Sequence, residues 1–574
     1  MASRENIVYE PDEPCPPLVS LAVGFQGAMF ILVQIPLLVS VSLLGDTYGE
    51  EYLAWAIFTA LIINGGVTAA QSGVIGRFGS GHLFFAGTTP VYIAVCRTAL
   101  TQGGPALLSI LVIVSSLFQF LLAAWLPLLR RIVTPTVSGT VLILVGAITI
   151  PIAFEGVADV PEGAPAAGSV AAAGATLAVT AALGLRATGR LRLWSPLVGI
   201  AAGCVVAGGL GMYDFQGVID APWVGVPPGG WPGISLTPGA EFWALLPMFL
   251  VVSLISAVKT IGGGIALQQV SWRGEQATDF RRVQGAVNAN GAGTLLSGIA
   301  GTPPAGAYEG ATVSIVSFTG VAARNAGYAM GAILIALAFL PKVSAFLLAV
   351  PNPVIGTFLM MVMGLILVEG MRTVFQDGID YRKALVVSVS LSVGIGLESQ
   401  DLFSELAGGV WGALLDNGLA GGTLAAVLMT TFLELSGVRR LRLETELAMS
   451  ALPCIDEFLQ SAADRAGWDQ ASAGRLRFVG EEVLSSLSQE LGGDAPPRRL
   501  AVLARPAAEV VELEFLAALM DENLEDRLAY MNRQSEVPEE TEISFRLLRH
   551  YASSVRHRKY HGLDIVTVQV EGSR

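Results

Sequence analysis

The sequence predicts an all-α polytopic membrane protein with fourteen spans in a 7+7 inverted repeat that contains two half-helices. A cytoplasmic α+β domain follows. Three observations lead there. Of 574 residues, 53% are hydrophobic and only 14% are charged, against about 25% charged in soluble domains. A Pro/Gly-rich phrase occurs twice, as AGTTP at 86–90 and within AGTPPAGAYEG at 300–310. Finally, cations gather on one side of the topology that these segments define.

Apolar runs long enough to cross hydrocarbon lie near 18–43, 53–75, 104–126, 134–152, 168–186 and 193–213. A second set lies near 240–267, 285–301, 325–349, 353–370, 383–398 and 407–433. Two shorter runs, near 84–101 and 306–322, each follow one copy of the repeated phrase. With the N-terminus inside, the inner loops hold Arg77, Arg130, Arg131, Arg186, Arg190, Arg192, Arg273, Arg281, Arg282, Arg324, Arg372, Arg382 and Lys383. The outer loops hold Arg97 and Lys342. This asymmetry obeys the positive-inside rule and vanishes if either short run is dropped. Both termini are therefore expected in the cytoplasm of a bacterial cell, with the spans in its inner membrane. No cleavable leader is expected, because the first sixteen residues are polar and acidic.

Short, interrupted segments at corresponding places in two halves point to a transporter site at mid-membrane. An odd number of spans per half turns the halves over relative to each other. Each short span is expected to begin as extended backbone that lines a cavity and then to become helical. The two helix N-termini would meet at one site and offer N–H groups to an anion or to a polar ligand. Ordinary kinked spans are the alternative. Gly87, Thr88, Thr89, Ala307, Tyr308 and Gly310 fall at these entrances. Thr88 and Thr89 could donate hydrogen bonds to a solute or merely cap the helix.

Two charges are set in apolar spans, Lys259 and Glu309. Each is expensive there and needs a named partner. Lys259 could bind an anionic substrate beside the helix N-termini, pair with Glu309 for structure or coupling, or be incidental. Cys15, Cys96, Cys204 and Cys454 show no metal or redox spacing. No cofactor, metal, nucleic acid or enzymatic role is expected.

The run NANGAGTLLSGIAGTPPAGAYEGATVSIVSFTGVAAR at 288–324 resembles spans nine and ten of the nucleobase/ascorbate transporters. PNPVIGTFLMMVMGLILVEGMR at 351–372 resembles their twelfth span, and Gln26 in VGFQGAMF stands where their first span has a Gln. The resemblance implies core and gate domains, an elevator-like movement, a substrate site between spans three, eight and ten, and a homodimer. It also implies coupling to H+ or Na+. Two departures stand out. Lys259, in SAVKTIGGG, occupies the place of a substrate-binding Glu. Glu309, in YEGAT, falls one residue ahead of the family's second Glu, whose place Gly310 takes by one alignment. A one-residue shift turns a helical side chain by about 100°.

These readings predict a secondary transporter of a small anionic or acidic heterocyclic solute. Lys259, Gly87, Thr88, Thr89, Ala307, Tyr308, Gly310 and Gln26 would bind it, and Glu309 with Lys259 would couple it. A proton symporter of uracil or xanthine type is the alternative. A transceptor that signals through its tail is the third.

Half of the 34 Lys+Arg fall after residue 437, which marks domains at 1–437 and 438–574. The tail predicts helices at 446–467 and 476–491, strands at 499–506 and 510–517, a helix at 543–556 and a strand at 563–570. This order resembles the ATP-binding fold of histidine kinases and anti-sigma-factor kinases. GEEVLSSL at 480–487 lacks the magnesium-binding Asn, and MDENLEDR at 520–527 replaces the adenine loop. The resemblance thus implies a regulatory domain without nucleotide motifs, able to bind a regulatory protein. RHRKYH at 556–561 reads as a basic face suited to water or anionic lipid rather than as a metal site.

Overall fold

The computed structural model describes residues 7–43, 47–124, 135–159, 165–187, 194–213, 215–227, 229–234, 239–273, 279–375, 381–400, 418–436, 441–489, 499–506, 510–517, 551–560 and 563–572. The chain divides into two compact units, Met1–Arg273 with Arg282–Thr431, and Gly274–Arg281 with Phe432–Arg574.

The first unit is helical. Its elements are α1 (Pro17–Ser42), α2 (Glu50–Ser72), β1 (Ala86–Thr88), α3 (Ile93–Ala124), α4 (Pro135–Ala158), α5 (Ala166–Arg186), α6 (Ser195–Gly209) and α7 (Gln216–Asp220). There follow α8 (Ala240–Ser271), α9 (Phe280–Ala300), β2 (Ala305–Ala307), α10 (Glu309–Thr319), α11 (Arg324–Ala338), α12 (Pro341–Leu348), α13 (Asn352–Phe375), α14 (Tyr381–Ser399) and α15 (Gly418–Ser436). Among the described residues, seven helices are long and apolar enough to cross a membrane, or eight if a bent pair counts as one span. The chain is thus a polytopic, mostly helical membrane protein. α3 breaks at Gly104 (φ 75°) just before Pro105, which divides the runs read at 84–101 and 104–126.

The structure refines one expectation for this unit and adds a register. The run at 325–349 is a bent pair of helices rather than one straight helix. α11 stops at Ala338 and α12 leaves it at 83°, because Pro341 lacks an N–H and cannot continue the helix. The two copies of the repeated phrase do not pair letter for letter in space. Ala86, Gly87 and Thr88 pair with Ala307, Gly306 and Ala305, not with Ala300–Thr302. The later phrase carries five further residues before its extended segment begins.

This β1–β2 pair is antiparallel and positions everything near it. Extended backbone inside an apolar unit must find partners for its polar groups. Ala86 N–H donates to Thr68 Oγ1 (3.0 Å), and Phe85 N–H donates to Thr312 Oγ1 (3.1 Å). Thr89 N–H donates to Pro304 O (3.1 Å), and Thr294 Oγ1 donates to Ala305 O (3.2 Å). Glycine is required where the strands cross. A methyl group on Gly87 would come within 2.6 Å of the Tyr308 ring, and one on Gly306 within 2.5 Å of Thr89 Cβ.

A strap formed by residues 7–13 closes the end of this unit opposite the entrance to α2. Arg273 donates to the carbonyls of Ile7 (3.0 Å) and Val8 (2.6 Å) and grips Glu13 with both terminal nitrogens (2.7 and 2.6 Å). Val8 N–H donates to Gly320 O, Ala322 N–H donates to Tyr9 O, and Arg324 pairs with Asp12. The strap therefore joins the ends of α8, α10 and α11.

The second unit is a five-stranded antiparallel sheet, ordered β3-β4-β5-β7-β6, with two helices against one face. Its elements are β3 (Leu441–Glu446), α16 (Leu452–Ala466), α17 (Gln470–Gln489), β4 (Arg499–Pro506), β5 (Val510–Ala517), β6 (Ser554–Tyr560) and β7 (Leu563–Glu571). Ile455, Leu459, Leu476, Val479 and Val483 meet Val502, Leu513, Phe515, Val566 and Val568 in its core. β4, β5 and β7 lie where strands were read. β3 was not foreseen, and the first tail helix begins at Leu452 rather than at 446. The helix predicted to end at 556 also needs correction. Residues 554–560 form a strand in register with β7, Val555 opposite Val568. The alternating pattern of SVRHRKY suits an edge strand, which bonds on one side only. The MDENLEDR segment and residues 543–550 lie outside the described residues.

Two outcomes are expected. Gly87→Ala should destabilise the folded protein by about 1–3 kcal/mol, the usual cost of overpacking. Gly310→Ala, which meets open space, should not; thermal unfolding in detergent compares them. The Arg273 guanidinium holds the Glu13 carboxyl below its ordinary value of 4.5. A depressed folded value stabilises the strap above the ordinary value and is lost as pH falls through the folded one. Hydrogen exchange at residues 8–13 should therefore accelerate below the usual carboxylate range, and Arg273→Ala should abolish that dependence.

Candidate functional site

The site is built around the start of α10. Glu309 is the first residue of that helix, so its carboxylate faces the positive end of the helix dipole. Lys259, in the middle of α8, places its Nζ 3.1 Å from Glu309 Oε1. Both side chains are mostly covered, at 16% and 25% exposure. Gly263, one turn after Lys259, lets the helices approach, since a methyl there would lie 2.5 Å from Glu309 Cβ.

One carboxylate oxygen is thereby occupied by the ammonium. The other, Oε2, is buried and meets no donor among the described residues. Thr88 Oγ1 is also buried without a partner among them. Buried polar atoms are normally satisfied, so each orphan is an unmet hydrogen-bonding capacity at this place in the fold. Tyr308 is not free in this way. Its N–H donates to Phe85 O (2.9 Å) and its hydroxyl donates to Thr88 O (2.7 Å). Tyr308 fastens the two crossing segments together.

A small cleft opens beside the same helix turn, lined by Gln26, Phe30, Trp194, Leu197, Ala311 and Ile315. Gln26 and Phe30 come from α1, Ala311 and Ile315 from α10, and Trp194 and Leu197 from the start of α6. Its walls are almost wholly apolar, with the Gln26 amide as the principal polar group. Two aromatic side chains, Phe30 and Trp194, and the Gln26 amide line it.

Most residues predicted for the site lie in this neighbourhood. Gly87, Thr88, Ala307 and Tyr308 meet at the strand crossing, Thr89 packs against Gly306, Lys259 meets Glu309, and Gln26 lies across from the first turns of α10. Gly310 is exposed beside open space. Sequence reasoning missed Phe30, Trp194 and the hydroxyls of Thr68 and Thr312. Among the described residues, no group of His, Cys, Asp and Glu could hold a metal ion.

Comparison with known proteins agrees with this architecture. The chain is 28% identical to the xanthine permease XanP of Escherichia coli (strain K12), over 74% of this chain and 94% of that protein. It is 27% identical to the nucleobase transporter PlUacP of Paenibacillus larvae, over 71% of this chain and 93% of that protein. Among solved structures, the murine anion transporter Slc26a9 in its inward-facing state superposes with a TM-score of 0.52. That match has 10% identity and covers 75% of this chain and 70% of that one, a likeness of fold alone. Residues 19–402 match the Xan_ur_permease model, described as a permease family. The chain belongs to that permease family and is a membrane transporter rather than an enzyme.

Proposed function

We propose that the protein carries a purine-type nucleobase, bound in the cleft between α1, α6 and α10. The observation that carries this reading is the Lys259–Glu309 pair at the head of α10. A site for a free anion would need the lysine ammonium available, and here the ammonium is spent on Glu309. What remains is an acceptor, Glu309 Oε2. An acceptor suits a ring N–H and repels an anion. Gln26 supplies the mixed donor and acceptor edge, and Phe30 and Trp194 supply apolar faces. The names of the relatives, xanthine permease and nucleobase transporter, favour the same solute class. The small-anion reading loses its main support.

The spans would form fourteen crossings in two inverted halves, with both termini in the cytoplasm. Two pairings of corresponding segments support this arrangement. β1 pairs with β2, and α4 packs along α13 through Gly139, Gly146 and Gly156. In bilayers, small residues let helix backbones meet closely. An elevator-like displacement of the β1–β2 body would expose the cleft to either side. Proton transfer to Glu309 would release Lys259, so a pH gradient rather than a sodium gradient is the expected driving force. The tail would regulate transport, through a partner protein or within a homodimer.

Reconstituted vesicles test the proposal. Saturable uptake of xanthine, raised by an inward proton gradient and indifferent to sodium, is the expected result. Glu309→Gln should lower the uptake rate by about ten- to a hundredfold, matching about 1.5–3 kcal/mol for a hydrogen bond to a charged group. Lys259→Ala should be as harmful, because it strands a carboxylate. Uptake of sulfate or bicarbonate without any nucleobase, undiminished in Glu309→Gln, would overturn the reading.

A further inference from the structure

Two connectors lie on the side that the cation distribution marks as outer. One joins α6 to α8 and contains α7. The other joins α11 to α13 and contains α12. They are tied together at several points. Lys342 N–H donates to Pro222 O (3.2 Å), and its ammonium lies 3.4 Å from the carbonyls of Ile219 and Ala221. The same ammonium sits 4.9 Å over the Trp223 ring. Gly225 N–H donates to Phe339 O (3.1 Å).

A fixed connector in water would normally show polar side chains. This one shows Phe215, Ile219, Trp223, Val224 and Val226, each between 47% and 72% exposed, and Phe346 of α12 adds to them. Across 215–227 the one ionisable side chain is Asp220. The segment is too short to span a bilayer, and its backbone is bonded, so it is neither a span nor a loose loop. Tryptophan with large aliphatic neighbours and a lysine at the edge is the composition of the membrane–water interface. The connectors also sit at the ends of α6, α8 and α11 that the cation distribution marks as outer.

We propose that these joined connectors lie in the headgroup layer of the outer leaflet, with Trp223 and Val224 at the acyl boundary. The occupant of the patch is lipid. Lys342 keeps its charge at the Trp223 face and at the carbonyls, where it needs no lipid phosphate. This assignment is independent of what the cleft carries.

The test uses the full chain in phosphatidylethanolamine–phosphatidylglycerol vesicles. Val224→Cys is made in a background with Cys204→Ala and Cys454→Ser, leaving Cys15 and Cys96 buried. An environment-sensitive fluorophore is attached. Nitroxide-labelled lipid should quench it at least about twofold more than aqueous iodide does, as expected at interfacial depth. The chain labelled at the exposed native Cys454 is the water-facing control, and it should respond to iodide alone. Iodide quenching at Val224 equal to that control would overturn the proposal. So would disulfide cross-linking of Val224→Cys between two copies, which would make the patch a protein interface. Ile219→Cys serves as a second probe if the first variant folds poorly.

Discussion

The antiparallel pairing of Ala86–Thr88 with Ala305–Ala307 is the constraint on which the rest depends. Two chain segments far apart in sequence give up helix inside an apolar unit, where unpaired backbone would cost several kcal/mol. Each supplies part of what the other lacks, and threonine hydroxyls on α2, α9 and α10 supply the remainder. Only glycine allows the approach at the crossing. Once it is made, two helices can begin inside the unit rather than at its surface, and their first turns face a common space.

The ion pair follows from that geometry. Glu309 can open α10 because the strand before it ends at Ala307, and Gly263 lets α8 bring Lys259 alongside. Either charge alone in this mostly covered setting would be costly, because it would lose its partner without regaining full hydration. Together they leave one oriented acceptor. The cleft beside the first turns of α10 is almost wholly apolar.

Much of this was legible in the sequence, for identifiable reasons. Charge in an apolar run is rare, so Lys259 and Glu309 stood out, although their pairing was only one of three readings. The doubled phrase announced the crossing. The register was not legible, because AGT at 300–302 looks more like AGT at 86–88 than AGA at 305–307 does, and it is the latter that pairs. Trp194 and Phe30 carried no signal. Helices that are apolar all round have no periodicity to show which face lines a cleft. The break before Pro341 was written in the proline and was overlooked inside a long hydrophobic run. In the tail, RLRLETE and SVRHRKY alternate as strands do, but their many charges masked the alternation.

The two charges ride on neighbouring helices of one unit, and their sum is zero. Moving a lone lysine through the whole membrane potential would involve about 2.3 kcal/mol of electrical work per 100 mV. For the pair that work would cancel if the two side chains moved together. Membrane voltage would then have little grip on the Lys259–Glu309 pair. A current accompanying such a movement would then count the charges of the cargo and its ions, not those of the pair.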